Sequence, residues 1–173
     1  MRTESFVVLG IFLAYSLLEV ARTHFFRKAE QTRDDWIVEA VSTVTLVGFT
    51  QPMLLILVGQ LMHAWHPEWR DALAGINVFA GLALFLVLDD MTQYWWHRAS
   101  HSFPWLYNLH RAHHDARYMS VRLVYRNNLF YYAMMPGLWL SGVLIYLGLG
   151  WIYAGYLVVK MLVIIGAHSD VAW

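Results

Sequence analysis

The chain contains no cysteine, which excludes disulfides, zinc ribbons built on thiolates and cysteine-ligated iron–sulfur clusters. Any metal ion must be held by histidine and carboxylate. Charge is also scarce: only 14% of the residues are charged, against 59% hydrophobic, and the formal net charge is zero. No basic run interleaves with a polar surface, so neither a nucleic-acid footprint nor a trap for acidic substrates is present, and no nucleic-acid partner is expected. Proline occurs four times, and no stretch rich in proline, glycine or serine marks a linker, nor is there an internal repeat. The chain reads as one domain over residues 1–173.

What is present is apolar length. Five segments, residues 6–21, 36–62, 72–88, 129–148 and 151–167, approach the roughly 20 residues that a bilayer crossing needs. An ordinary soluble domain is excluded, and the expected fold class is all-α, an integral membrane helical bundle of four to five transmembrane helices. Trp36, Trp65, Trp69, Trp95, Trp96, Trp105 and Trp151 fall near segment ends, where indole suits the membrane interface. The amino terminus imitates a secretory signal, but no convincing small-x-small cleavage site precedes Arg22, so a retained anchor is expected.

Arg22, Arg27, Lys28 and Arg33 follow the first segment, and Arg98, Arg111, Arg117, Arg122 and Arg126 follow the third. The positive-inside bias makes both loops cytoplasmic. The loop of His63, His66 and Arg70 then lies outside, while residues 89–115 and His168 gather on the cytoplasmic face. Lys160 falls near the middle of the fifth segment, where a buried ammonium is expensive, so it must face a polar cavity or lie in a shorter span. Glu19 and Glu39 sit close to interfaces and need no functional reading.

Five of the nine histidines fall within residues 97–114. His97 and His101, four apart in a run with good helical composition, share one helix face, which extends back through Tyr94 to Asp90. A carboxylate there can ligate a metal or orient an imidazole. After Pro104 come His110, His113 and His114. A lone interfacial histidine is ordinarily solvated or hydrogen-bonded, and His24, His63 and His66 are read that way; five at ligand spacing are not. Imidazole suits iron, zinc, copper and nickel alike, so residue type does not choose the metal. No HExxH general base is present. Bis-histidine haem would need ligands on separate helices flanking a porphyrin-sized gap, and two adjacent clusters fit a dinuclear site better.

These motifs, HxxxH at His97 and His101, HxxHH at His110, His113 and His114, then a single His168, resemble those of the fatty acid hydroxylase and sterol desaturase superfamily over residues 86–173. The resemblance implies that His97, His101, His110, His113, His114 and His168 ligate two non-haem iron ions, with Asp90 beside them as an orienting group or ligand. It further implies hydroxylation or desaturation of a fatty acyl, alkyl or sterol substrate with O2, electrons arriving from a separate reductase. Arg122 and Arg126 open the fourth segment beside the site. They are candidates for holding a lipid headgroup or the electron donor, or else are snorkelling anchors. The superfamily pattern continues with a second HxxHH, which does not follow His168 here. The domain is therefore read as C-terminally truncated, and these residues alone are expected to bind metal loosely. The competing readings are a non-catalytic metal-binding membrane protein or inactive fragment, and a transporter, which is disfavoured because no spans look broken in matching halves.

Overall fold

The computed structural model describes residues 2–23 and 30–171; His24, Arg27 and Lys28 lie outside them. Among the described residues there are helices and turns and no strand. Helix α1 spans Arg2–Arg22 and α2 spans Arg33–Thr45. Thr32 starts α2 through a capping box with Asp35: the Thr32 hydroxyl accepts from the Asp35 N–H, and the Asp35 carboxylate accepts from the Thr32 N–H at 2.8 Å.

A single π turn, Leu46–Thr50, joins α2 to α3, Gln51–Trp65. Pro52 explains it: proline lacks the N–H that an uninterrupted α-helix would use, and widening the preceding turn accommodates the ring. The Thr50 hydroxyl donates to the Thr45 carbonyl at 2.9 Å, occupying a backbone acceptor on this stretch. The resulting rod, Arg33–Trp65, is 33 residues long, about 50 Å at 1.5 Å per residue. That exceeds a bilayer core of about 30 Å, so its first turns, with Asp35 and Glu39, extend beyond the apolar part.

Helix α4 spans Val78–Ser102 and is capped by Asn77. The third apolar segment was expected to start at residue 72, but residues before 77 form turns. The reason is local pairing: the Asp71 and Leu73 N–H groups donate to the Tyr146 and Leu147 carbonyls at 3.2 and 2.8 Å. Helix α5, Pro104–His114, follows at once. Pro104 disfavours helical geometry at Phe103, which is extended, and supplies a suitable first residue for α5.

Helices α6, Leu129–Met134, and α7, Pro136–Leu144, divide the fourth apolar segment at Pro136 for the same reason. After a turn over Ile145–Leu149, α8 runs Gly150–His168. Gly148 has φ of 100°, and a Cβ there would come within 3.0 Å of the Ala74 backbone nitrogen. Glycine is required both for the conformation and for the close approach.

These contacts sort the bundle into two ends. Residues 66–77 meet the 145–149 turn at one end. At the other, Glu19 of α1 and Glu39 of α2 meet residues 118–122, and His113 meets His168. The chain thus crosses the bundle with α1, α4 and α8 running toward the histidine end. Outward faces are apolar: Leu17, Ile56, Phe79 and Val163 are each more than 60% exposed. Among the described residues, Arg33–Trp65 and Pro136–His168, the latter bent at Gly148, are the two helical stretches long and apolar enough to cross a membrane.

Candidate metal centre

The last two turns of α4 present His97 and His101 on one face, their Nε2 atoms 3.1 Å apart. Helix α5 lies against α4 and faces them with His110 and His114, whose Nε2 atoms are 3.0 Å apart. Ligand atoms of all four imidazoles fall within 4.8 Å of one another. His113, one turn along α5 from His110, has its ring 5.4 and 5.3 Å from those of His110 and His114, and its Nε2 lies 3.4 Å from that of His168 at the end of α8. The sequence places six histidines in the candidate site, and the fold brings all six to one end as a group of four and a neighbouring pair.

Hydrogen bonding defines which nitrogen is free. His110 Nδ1 lies 3.3 Å from Asn127 Oδ1, and His168 Nδ1 lies 2.8 Å from the Ile164 carbonyl. Both partners only accept, so both Nδ1 atoms carry the proton and each Nε2 presents a lone pair. Metal-ligating histidines have this arrangement. Imidazole nitrogens each about 2.1 Å from a shared ion lie roughly 3.0–3.4 Å from one another, and the observed Nε2 separations match. Among the described residues, buried His113 Nδ1 has no partner within hydrogen-bonding geometry, although the Leu123 main chain is near enough to favour its protonated form.

Electrostatics favours the neutral, ligating form. Burial, with the neighbouring His97 and His113, lowers His110 to about 3. Burial and His168 lower His113 to about 4, and burial and His101 lower His114. At these three residues a bound cation would meet neutral imidazole. The carboxyl ends of α4, α5 and α8 converge here, and their partial negative charge favours a cation. The donor set therefore fits iron, and equally other imidazole-binding metals.

The remaining sequence candidates lie elsewhere. Asp90 is exposed on α4 and is outside the four-histidine group; its neighbour Asp89 is the buried one. Arg122 and Arg126, proposed from sequence as headgroup or donor contacts, are 7% and 5% exposed. Arg122 pairs with Glu39 at 3.2 Å, and Arg126 with Asp35 at 2.6 Å. Arg126 Nε also donates to the Ala112 carbonyl at 2.7 Å. They bind residues 121–126 to α2 and α5 instead of facing outward. His63 lines a cavity at the opposite end with Arg70 and Tyr146.

Glu19 and Glu39, which sequence reading passed over as interfacial, are buried. Glu19 accepts from Ser120 Oγ at 2.8 Å and from the Val121 and Asp170 N–H groups at 2.9 Å each. It thereby ties α1 to the segment just after His168. Tyr131, which stacks on His110 with ring centroids 4.7 Å apart, also carried no sequence signal, and Asn127, which sequence offers with Arg122 and Arg126 as a headgroup or donor contact, instead meets the His110 ring. Asn127→Ala is expected to weaken metal binding about 10- to 100-fold by freeing the His110 ring. Titration with ferrous iron under anaerobic conditions measures it.

A family model described as fatty acid hydroxylase matches residues 82–173, more than half of the chain. No curated protein and no solved structure gives a significant match. The matched region holds all six clustered histidines, and the chain belongs to the fatty acid hydroxylase family.

Proposed function

We propose that the protein is a membrane-embedded oxidoreductase that uses two non-haem iron ions and O2 to hydroxylate or desaturate a lipid. The observation that carries this reading is the convergence of six imidazoles, four with ligand atoms within 4.8 Å, at one end of a bundle whose outer faces are apolar. His97, His101, His110 and His114 would hold one ion, and His113 and His168 would contribute to the second. Bound iron supplies O2 activation and oxidation of an unactivated C–H bond.

The chain's own part is positioning. Asn127 and the Ile164 carbonyl fix His110 and His168 with Nε2 inward. Tyr131 supports the His110 ring from the buried side, while His97, His101 and His114 are exposed, leaving that side of the site open to substrate and to an electron donor. The fatty acyl, alkyl or sterol portion of the substrate would lie along the apolar helices. Exposed indoles at both ends, Trp65, Trp69 and Trp151 at one and Trp95 and Trp105 at the other, suit two membrane interfaces. The basic residues at the histidine end favour a cytoplasmic position for it through the positive-inside bias, and a separate reductase there would supply electrons.

The test uses the whole protein in membranes, loaded with ferrous iron and supplied with a reductase system. The expected result is O2-dependent oxidation of membrane lipid, detected by mass spectrometry with ¹⁸O2 for hydroxylation. Cysteines placed at Arg117 and Arg70 should label from opposite faces in this cysteine-free chain. Tight iron binding without lipid oxidation or O2 consumption would favour a non-catalytic metal protein, a reading that the exposure of three of the four clustered imidazoles supports. Absence of metal would overturn both.

A further inference from the structure

Lys160 and Asp89 form an ion pair inside the bundle, Nζ to Oδ2 at 2.5 Å, with side chains 18% and 3% exposed. The Tyr156 hydroxyl, one turn before Lys160 on α8, donates to the same carboxylate oxygen. Helix α7 closes over the other side: a Cβ on Gly137 would come within 2.8 Å of Asp89 Oδ1. That oxygen is buried and has no hydrogen-bond partner among the described residues. The site lies eight residues before His97 on α4 and eight before His168 on α8, about 12 Å along each helix.

The contact belongs to a ladder with constant offset. Asp89 and Lys160 are 71 residues apart. The same offset relates Phe85 to Tyr156, whose rings stack at 5.2 Å, and Gly81 to Ile152, whose side chain fills the space a Gly81 Cβ would take. The same offset of 71 separates His97 from His168 in sequence, two further turns along both helices. Apolar contacts between α4 and α8 are non-directional and tolerate axial sliding. Two donors at i and i+4 on α8 meeting one carboxylate on α4 do not, because a slip of one turn, about 5.4 Å, would leave an ammonium and a carboxylate unpaired in an apolar interior.

We propose that Asp89, Tyr156 and Lys160 form a register lock that positions His168 opposite His113, making them positioning residues for the second metal ion. The inference rests on the two-ion reading of the histidine site. Asp89 and Lys160 touch no ligand, so the lock acts only through the relative height of α4 and α8. The four-imidazole group, built from α4 and α5 alone, is independent of it.

Two readouts separate these statements. Spin labels on cysteines replacing the exposed Met91 of α4 and Val163 of α8 report the helix register without any metal. Anaerobic titration with ferrous iron reports the two affinities. Lys160→Met is expected to shift or broaden the label distance by up to about 5 Å, one turn. It should weaken the looser ion at least tenfold and leave the tighter ion within about twofold, as expected for a group remote from the four ligands. Tyr156→Phe, which removes one donor and is milder on folding, should move both readouts the same way by less. Lys160→Arg should keep wild-type values. An unchanged label distance in Lys160→Met, or equal weakening of both ions, would overturn the lock. If the wild type binds no iron, the functional reading falls, while the label distance still decides whether the register depends on Lys160.

Discussion

Replacing His97 by alanine is expected to reduce iron retention more than about 100-fold, whereas His63→Ala and His66→Ala leave it within about twofold; even groups that only orient a ligand are worth 10- to 100-fold. His97 supplies one of four imidazoles whose ligand atoms share a space 4.8 Å across, and its ring packs against those of His101, His110 and His114. Among the described residues no carboxylate joins that group to replace it. His63 and His66 lie at the other end of the bundle, His63 beside Arg70 and Tyr146 and His66 stacked on Trp69 with ring centroids 4.2 Å apart. The measurement is metal per chain after iron loading and purification in detergent. Equal losses for all three variants would show that the metal is held by histidines in general and not by this constellation.

The contrast between those two groups of histidines was legible because ligand spacing is local. Positions four apart on a helix face the same way whatever the rest of the chain does, so His97 with His101 and His110 with His114 were paired before any tertiary structure. The charge bias groups residues 89–115 with His168 on one face; His113 does meet His168, whereas Asp89 lies inside the bundle against Lys160. The illegible part depends on contacts distant in sequence. Glu19 meets Ser120 across 101 residues, and Lys160 meets Asp89 across 71; neither separation leaves a periodic trace. Glu39 reads as an interfacial acid until Arg122 arrives beside it, and Lys160 as an anomaly until its partner is known. Apolar segments were found by hydropathy, but their breaks at Pro136 and in residues 67–77 follow from backbone geometry and from pairing with the 145–149 turn, which hydropathy does not register.

Arg126 carries the largest expected effect on stability. It is 5% exposed, and its guanidinium meets Asp35 at 2.6 Å, the Ala112 carbonyl at 2.7 Å and the Tyr118 hydroxyl at 3.3 Å, with Glu39 at 3.8 Å. Arg126→Met preserves much of the side-chain volume but leaves the Asp35 carboxylate without its closest cation and the Ala112 carbonyl without its donor. Removing one partner of a fully buried pair costs about 3–5 kcal/mol; with Asp35 15% exposed the cost here is about 2–3 kcal/mol, which for a chain of this size lowers the unfolding midpoint by roughly 5–10 °C. Because Ala112 directly precedes His113, the loosened end of α5 should also weaken iron binding at the His113 and His168 pair. Adding Asp35→Asn to Arg126→Met removes the stranded charge and keeps a side-chain acceptor for the α2 cap, so the double variant should regain about half of the lost stability, since a matched neutral replacement of a buried pair is often tolerated. Thermal unfolding in detergent, followed by helical circular dichroism, measures both. An Arg126→Met variant as stable as wild type, or a double variant less stable than the single, would show that the arginine does not serve as the counter-charge that joins residues 121–126 to α2.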